Sequence, residues 1–145
     1  MKKITQFHMR ITGFLMFALL CMLCLFDVKA EATETKTYGK YQYCYNEEYD
    51  GIEIVKYKGK AKTVKVPKEI EGIPVKVIGD RAFEDKKTIT KVVLPESVLV
   101  IGEESFDGCK KLKKINLPKK LQILGEDAFK ACVKLASIEL PKTLS

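Results

Sequence analysis

Residues 91–109 read KVVLPESVLVIGEESFDGC, and residues 114–132 read KINLPKKLQILGEDAFKAC, the same pattern 23 positions later. Laid over each other, the two stretches place Pro95 on Pro118, Gly102 on Gly125, Phe106 on Phe129 and Cys109 on Cys132. The period extends outward to Gly79 and Phe83 on one side and to Pro141 on the other. Aliphatic columns run with it: Ile89, Leu112 and Leu135; Val92, Ile115 and Ile138; Val98, Leu121 and Leu144. A fixed period of this size marks an array of stacked units, each too small to bury its own apolar side chains and therefore dependent on its neighbours.

Within one unit the pattern changes step by step. Ile115-Asn116-Leu117 alternates inward and outward like a half-buried strand, and Pro118, which has no N–H to give to a ladder, ends it. Leu121 to Leu124 reads as a second short extended piece, closed by a turn at Gly125. Glu126-Asp127-Ala128-Phe129 reads as a short helical turn, with its acidic residues at the end where the helix dipole favours them. Phe83, Phe106 and Phe129 are expected to fill one interior column. The outward strand positions Val93, Asn116 and Glu139 are expected side by side on one sheet face, with Lys91, Lys114 and Ser137 close by. Repeat proteins bind through such shared faces, so Lys91, Val93, Lys113, Lys114, Asn116 and Glu139 are the candidate partner site.

The stretch at 91–109, its copy at 114–132, and VPKEIEGIPV at 66–75 resemble the BspA-type leucine-rich repeats, the last as the longer first repeat of that family. The resemblance implies a right-handed β/α leucine-rich-repeat solenoid of short parallel strands and short helical turns. It also implies export, with roles in adhesion or host-protein binding and without catalysis. On this reading the repeats occupy residues 67–145, divided as 67–94, 95–117, 118–140 and a partial unit 141–145. The partial unit has no polar cap, so either further repeats or self-association through the open edge is expected.

Ahead of the repeats, Tyr41, Tyr43 and Tyr45 alternate, Asp50-Gly51 makes a turn, and Ile52 and Ile54 alternate again, which predicts a β-hairpin cap over residues 40–66. All six tyrosines lie between positions 38 and 57, either as amphipathic cover for the first repeat or as an aromatic platform for a ligand. Residues 31–39 read as a linker. Residues 1–30 read as a signal peptide: Lys2, Lys3 and Arg10 precede an apolar run from Ile11 to Phe26, and Val28-Lys29-Ala30 presents small residues for cleavage. The run is shorter than the ~20 residues of a membrane-crossing helix, so no integral membrane span is expected after cleavage.

Cleavage removes Lys2, Lys3, Arg10 and Lys29 against Asp27 alone, so the net charge of +7 falls to +4. That excess suits solubility and a weak pull on anionic surfaces, and it is too small to point to nucleic acid. Cys21 and Cys24 leave with the signal, and Cys44, Cys109 and Cys132 are too few for a disulfide framework. Cys109 and Cys132, in equivalent positions of adjacent layers, are either linked or, as small buried side chains, free. The only histidine, His8, also leaves with the signal, which removes the usual general base and the commonest metal ligand. No catalytic residue, metal or cofactor is expected. The lysines around the 114–116 strand are either a solvated face that guards against unwanted pairing or an attraction for anionic partners. The expected function is a secreted or cell-surface binding module for an extracellular protein or glycan, with a structural spacer as first rival and a hydrolase as second.

Overall fold

The structure, a computed structural model, describes residues 34–144. The expected signal peptide at 1–30 therefore lies outside the described residues. Ten short strands carry the fold: β1 (Lys36–Tyr38), β2 (Tyr41–Asn46), β3 (Gly51–Tyr57), β4 (Thr63–Lys65), β5 (Glu69–Ile70), β6 (Ile73–Ile78), β7 (Lys91–Val93), β8 (Val100–Ile101), β9 (Lys114–Asn116) and β10 (Ile123–Leu124). They form a solenoid in which each coil contributes two strands to two different sheets.

The first sheet begins as an antiparallel meander, β1 on β2 and β2 on β3, and continues in parallel through β6, β8 and β10. The amino-terminal hairpin thus carries an extra strand, Lys36–Tyr38, in the stretch read from sequence as a linker. The second sheet is β4, β7 and β9, all parallel. Between the sheets the chain turns a corner at each proline, where Val98, Leu121 and Leu144 donate their N–H to the carbonyls of Pro95, Pro118 and Pro141. Val64 pairs with Val92 across β4 and β7, so the first coil holds 28 residues, and the antiparallel pair β5 and β6 accommodates the excess.

The third side of each coil corrects the sequence reading. No helix is present among the described residues. A helix would spend all its N–H groups within its own turn, whereas here every second one reaches the next coil and those between, such as Ala82 and Glu84, bond three residues back. Arg81, Phe83 and Asp85 donate to the carbonyls of Glu103, Ser105 and Asp107 at 2.7–2.9 Å. One layer on, Glu104, Phe106 and Gly108 donate to Glu126, Ala128 and Lys130 at 2.8–3.0 Å. The geometry is made possible by left-handed residues at fixed repeat positions, Arg81, Glu104 and Asp127 in one column (φ 50–55°) and Asp85, Gly108 and Ala131 in another (φ 53–67°). Such residues interrupt any right-handed helix and swing every second amide towards the neighbouring layer.

The glycine column also has a tertiary cause. A Cβ at Gly125 would meet the backbone N of Glu103 and C of Gly102 at 2.5 Å, and one at Gly102 would meet the backbone N of Asp80 at 2.7 Å. Neighbouring backbones approach too closely there for any side chain.

Inside, Phe83, Phe106 and Phe129 stack in one column with ring centroids 4.9 and 5.4 Å apart. Tyr57 extends the column at 5.2 Å from Phe83, and Tyr41 lies 5.2 Å from Tyr57. Two cap tyrosines thus continue the aromatic interior, while Tyr38 and Tyr45 stay exposed. Burial pushes the Tyr41 hydroxyl up to about 12, with the nearby Tyr57 hydroxyl adding to the rise.

Candidate interaction surface

The second sheet brings the lysines of successive coils into register. Thr63, Lys91 and Lys114 occupy one row across β4, β7 and β9, and Lys65, Val93 and Asn116 occupy the next. Adjacent strands lie ~4.8 Å apart, so Lys91 and Lys114 stand directly beside each other. Lys91, Lys113 and Lys114 are exposed, and among the described residues none of them forms an ion pair. Next to Lys91, Val92 turns inward, is buried, and holds the strand against the core.

Like charges side by side on neighbouring strands cost stability, roughly 0.2–1 kcal/mol for a pair. Protection of a sheet edge explains lysines on an outer strand. It explains Lys114 on β9, the last strand of this sheet, and does not explain Lys91 on the central strand β7.

Asn116 has a different occupation from the one its outward position implied. Its side-chain amide donates to the carbonyl of Leu94 at 3.0 Å, and its side-chain oxygen accepts the Leu94 N–H at 2.9 Å. The amide therefore substitutes for a strand neighbour and ties two coils together, leaving little of it for a partner. Glu139 is exposed but not part of a strand, so it does not extend the ladder of Val93 and Asn116. The physical reason is that a two- or three-residue strand in this fold exists only through its ladder bonds, and β9 is paired on the β7 side alone.

Thr63 and Lys65, on β4, belong to this face and were passed over when the first repeat was begun at Pro67. The signal was present: Val64 and Val92 share the 28-residue offset of Pro67 and Pro95.

Elsewhere the chemistry is quiet. Cys44, Cys109 and Cys132 are free and buried, which decides against a link between the last two. Cys109 and Cys132 donate their thiols to the carbonyls of Phe83 and Phe106, each at 3.2 Å. Burial pushes the Cys109 thiol up to about 12 and the Cys132 thiol up to about 11, so neither is a nucleophile near neutrality. Among the described residues no group of acidic, histidine or cysteine side chains has the arrangement to hold a metal ion. A cavity of about 260 Å³ lies in the cap, bordered by Tyr43, Cys44, Tyr45, Glu47 and Glu71, apart from the lysine sheet. No helix among the described residues is long and apolar enough to cross a membrane.

Short parallel strands, a stacked aromatic column and turns bonded from layer to layer define a leucine-rich-repeat solenoid. Residues 76–145 match the BspA type leucine rich repeat region, so this stretch of the chain is a BspA-type leucine-rich repeat region. A leucine rich repeat protein of T. pallidum is 38% identical with a TM-score of 0.72, over 77% of this chain and 52% of that one. A leucine rich cell surface protein of Faecalibacterium prausnitzii is 29% identical with a TM-score of 0.67, over 76% of this chain and 31% of that one. A leucine-rich repeat protein of Bacteroides capillosus is 29% identical with a TM-score of 0.68, over 76% of this chain and 84% of that one. This chain thus spans about half the length of the treponemal protein and about a third of the faecalibacterial one. No curated protein matches it.

Proposed function

We propose that the protein is a non-catalytic binding module of the cell surface or the extracellular space, which recognises a protein or glycan through the sheet of β4, β7 and β9. Lys91, Lys113 and Lys114 are the contact residues, and Asn116 holds the coils that present them. The carrying observation is the in-register, unpaired Lys91 on the central strand, a position where neither stability nor edge protection calls for a charge. The surface location draws support from the amino-terminal sequence pattern and from the cell-surface description of the similar F. prausnitzii protein.

The test separates binding from scaffolding. Replacing Lys91, Lys113 and Lys114 together by Ala is expected to weaken attachment to cells or extracellular matrix while leaving the thermal transition within a few degrees of its starting point. Asn116→Ala is expected to lower that transition by the equivalent of about 1–3 kcal/mol, because it strips both polar groups of the buried Leu94 backbone of their partners. Unchanged attachment by the triple-lysine variant means that the sheet is a spacer.

A further inference from the structure

Acidic side chains gather in the turns of each coil, interleaved there with basic ones such as Lys87, Lys110, Lys111 and Lys134. The turn column carries Asp80, Glu103 and Glu126 at one repeat position and Glu104 and Asp127 at the next. Part of that acidity is neutralised locally, by Arg81 on Glu104 and by Lys130 on Asp127. The opposite choice prevails on the second sheet, where Lys62, Lys65, Lys91, Lys113 and Lys114 are exposed and without an ion pair among the described residues. Lysines left unpaired on one face draw anions to that face.

The composition of that side narrows the partner. Protein partners are held at interface centres by aromatic and arginine anchors, with lysine depleted there. The outward rows of this sheet are Thr63, Lys91 and Lys114, and Lys65, Val93 and Asn116, without an aromatic or an arginine. Every tyrosine of the chain lies between positions 38 and 57, in and around the cap, and the three phenylalanines of the repeats form the interior column. A disordered acidic peptide would have to order itself against a face whose only apolar side chain in these rows is Val93, too little burial to offset the lost chain entropy. Lysine is a compact, strongly hydrated point charge, suited to a hydrated anionic chain that keeps much of its water.

Spacing completes the argument. Lysines recur from layer to layer at intervals of ~4.8 Å along the stack, so a polymer with repeated anionic groups engages several at once, whereas one small anion would gain a single exposed contact. We propose that the lysine-bearing sheet binds an anionic polysaccharide laid along the solenoid axis across β4, β7 and β9, held chiefly by Lys62, Lys91, Lys113 and Lys114. This rests on the reading of the same sheet as the binding face. Carboxylated and sulfated polysaccharides share the recognising chemistry.

The experiment measures binding of the purified protein to polygalacturonate, dextran sulfate, neutral dextran and polyglutamate. At least one anionic polysaccharide is expected to bind as tightly as polyglutamate or more so, neutral dextran not at all, and affinity is expected to fall about tenfold or more between 50 and 200 mM salt. Lys91→Glu/Lys114→Glu is expected to lower affinity about tenfold, and Lys36→Glu/Lys40→Glu, with the same net charge, less than twofold. Lys91→Gln/Lys114→Gln supplies the same reading if the reversed pair does not fold. Equal losses in the two charge-reversed pairs, or tighter binding to polyglutamate than to either anionic polysaccharide, would overturn the proposal. If no polymer binds while the triple-lysine variant still detaches from cells, the polysaccharide is wrong and the binding face stands.

Discussion

The coil around Phe106 and the coil around Phe129 carry matching residues in matching columns, yet they are sheltered very differently. Phe106, Leu112 and Leu121 are completely buried, whereas Phe129, Leu135 and Leu144, one period later, are half-buried. Ile101 is buried and Leu124 is not. Val133 and Leu140 are 74% and 62% exposed, more than any other large apolar side chain among the described residues. The residues do not differ in kind; what differs is whether a coil lies against each face. Burial in a solenoid is therefore conferred by the neighbour, and stability accumulates at the contacts between layers.

The sharpest way to break this comparison is to truncate equivalent rings. Phe106→Ala removes a ring packed on both faces and is expected to cost about 3–5 kcal/mol, while Phe129→Ala is expected to cost about half as much. Chemical denaturation of the two variants compares them directly, and equal losses would mean that the layers do not stabilise one another as described.

Both coils bury a thiol. Both pKa values are raised above the ordinary 9.0, so the protonated thiols stabilise the folded chain fully below pH 9, and this contribution is lost as pH rises through about 11 for Cys132 and about 12 for Cys109. Between pH 9 and pH 10, where only the unfolded chain releases these protons, the loss is expected to be about 1 kcal/mol for each thiol. A Cys109→Ala/Cys132→Ala variant should show a correspondingly flatter stability profile over that interval; a profile parallel to the parent's would contradict the assignment.

The smallest effect sharpens the picture of the inner coil. Ser105 stands in the column of Ala82 and Ala128, is fully buried, and has a hydroxyl without a hydrogen-bond partner. Ser105→Ala is expected to raise stability by about 1 kcal/mol, the relief of one stranded polar group. A fall in the thermal transition would show that the hydroxyl is satisfied after all.

Much of this was legible in the residues. The columns of proline, glycine and phenylalanine announced the layers, because a strict period places equivalent residues in equivalent surroundings whatever the local conformation. The turn column was misread for a physical reason: Glu126-Asp127-Ala128-Phe129 satisfies the local preferences of a helical turn, but its neighbours' amides are bonded to a coil 22 residues away. Gly108, standing where Asp85 and Ala131 stand, was the available hint, since glycine tolerates the left-handed backbone all three adopt. Among the candidate contact residues, Lys91, Lys113 and Lys114 are exposed, Asn116 is spent on Leu94, and Glu139 is left outside the ladder. Lys65 was overlooked because the longer first coil shifts its phase by five residues.

Sequence alone determined the repeat, its period, and which side chains turn inward, because these depend on the spacing of apolar residues along one chain. Tertiary structure decided how deeply each of them is buried, whether the turn amides bond within their own coil or to the next, and which exposed polar groups remain free for a partner. All three depend on atoms a full coil away, and no local preference encodes the identity or the distance of those atoms.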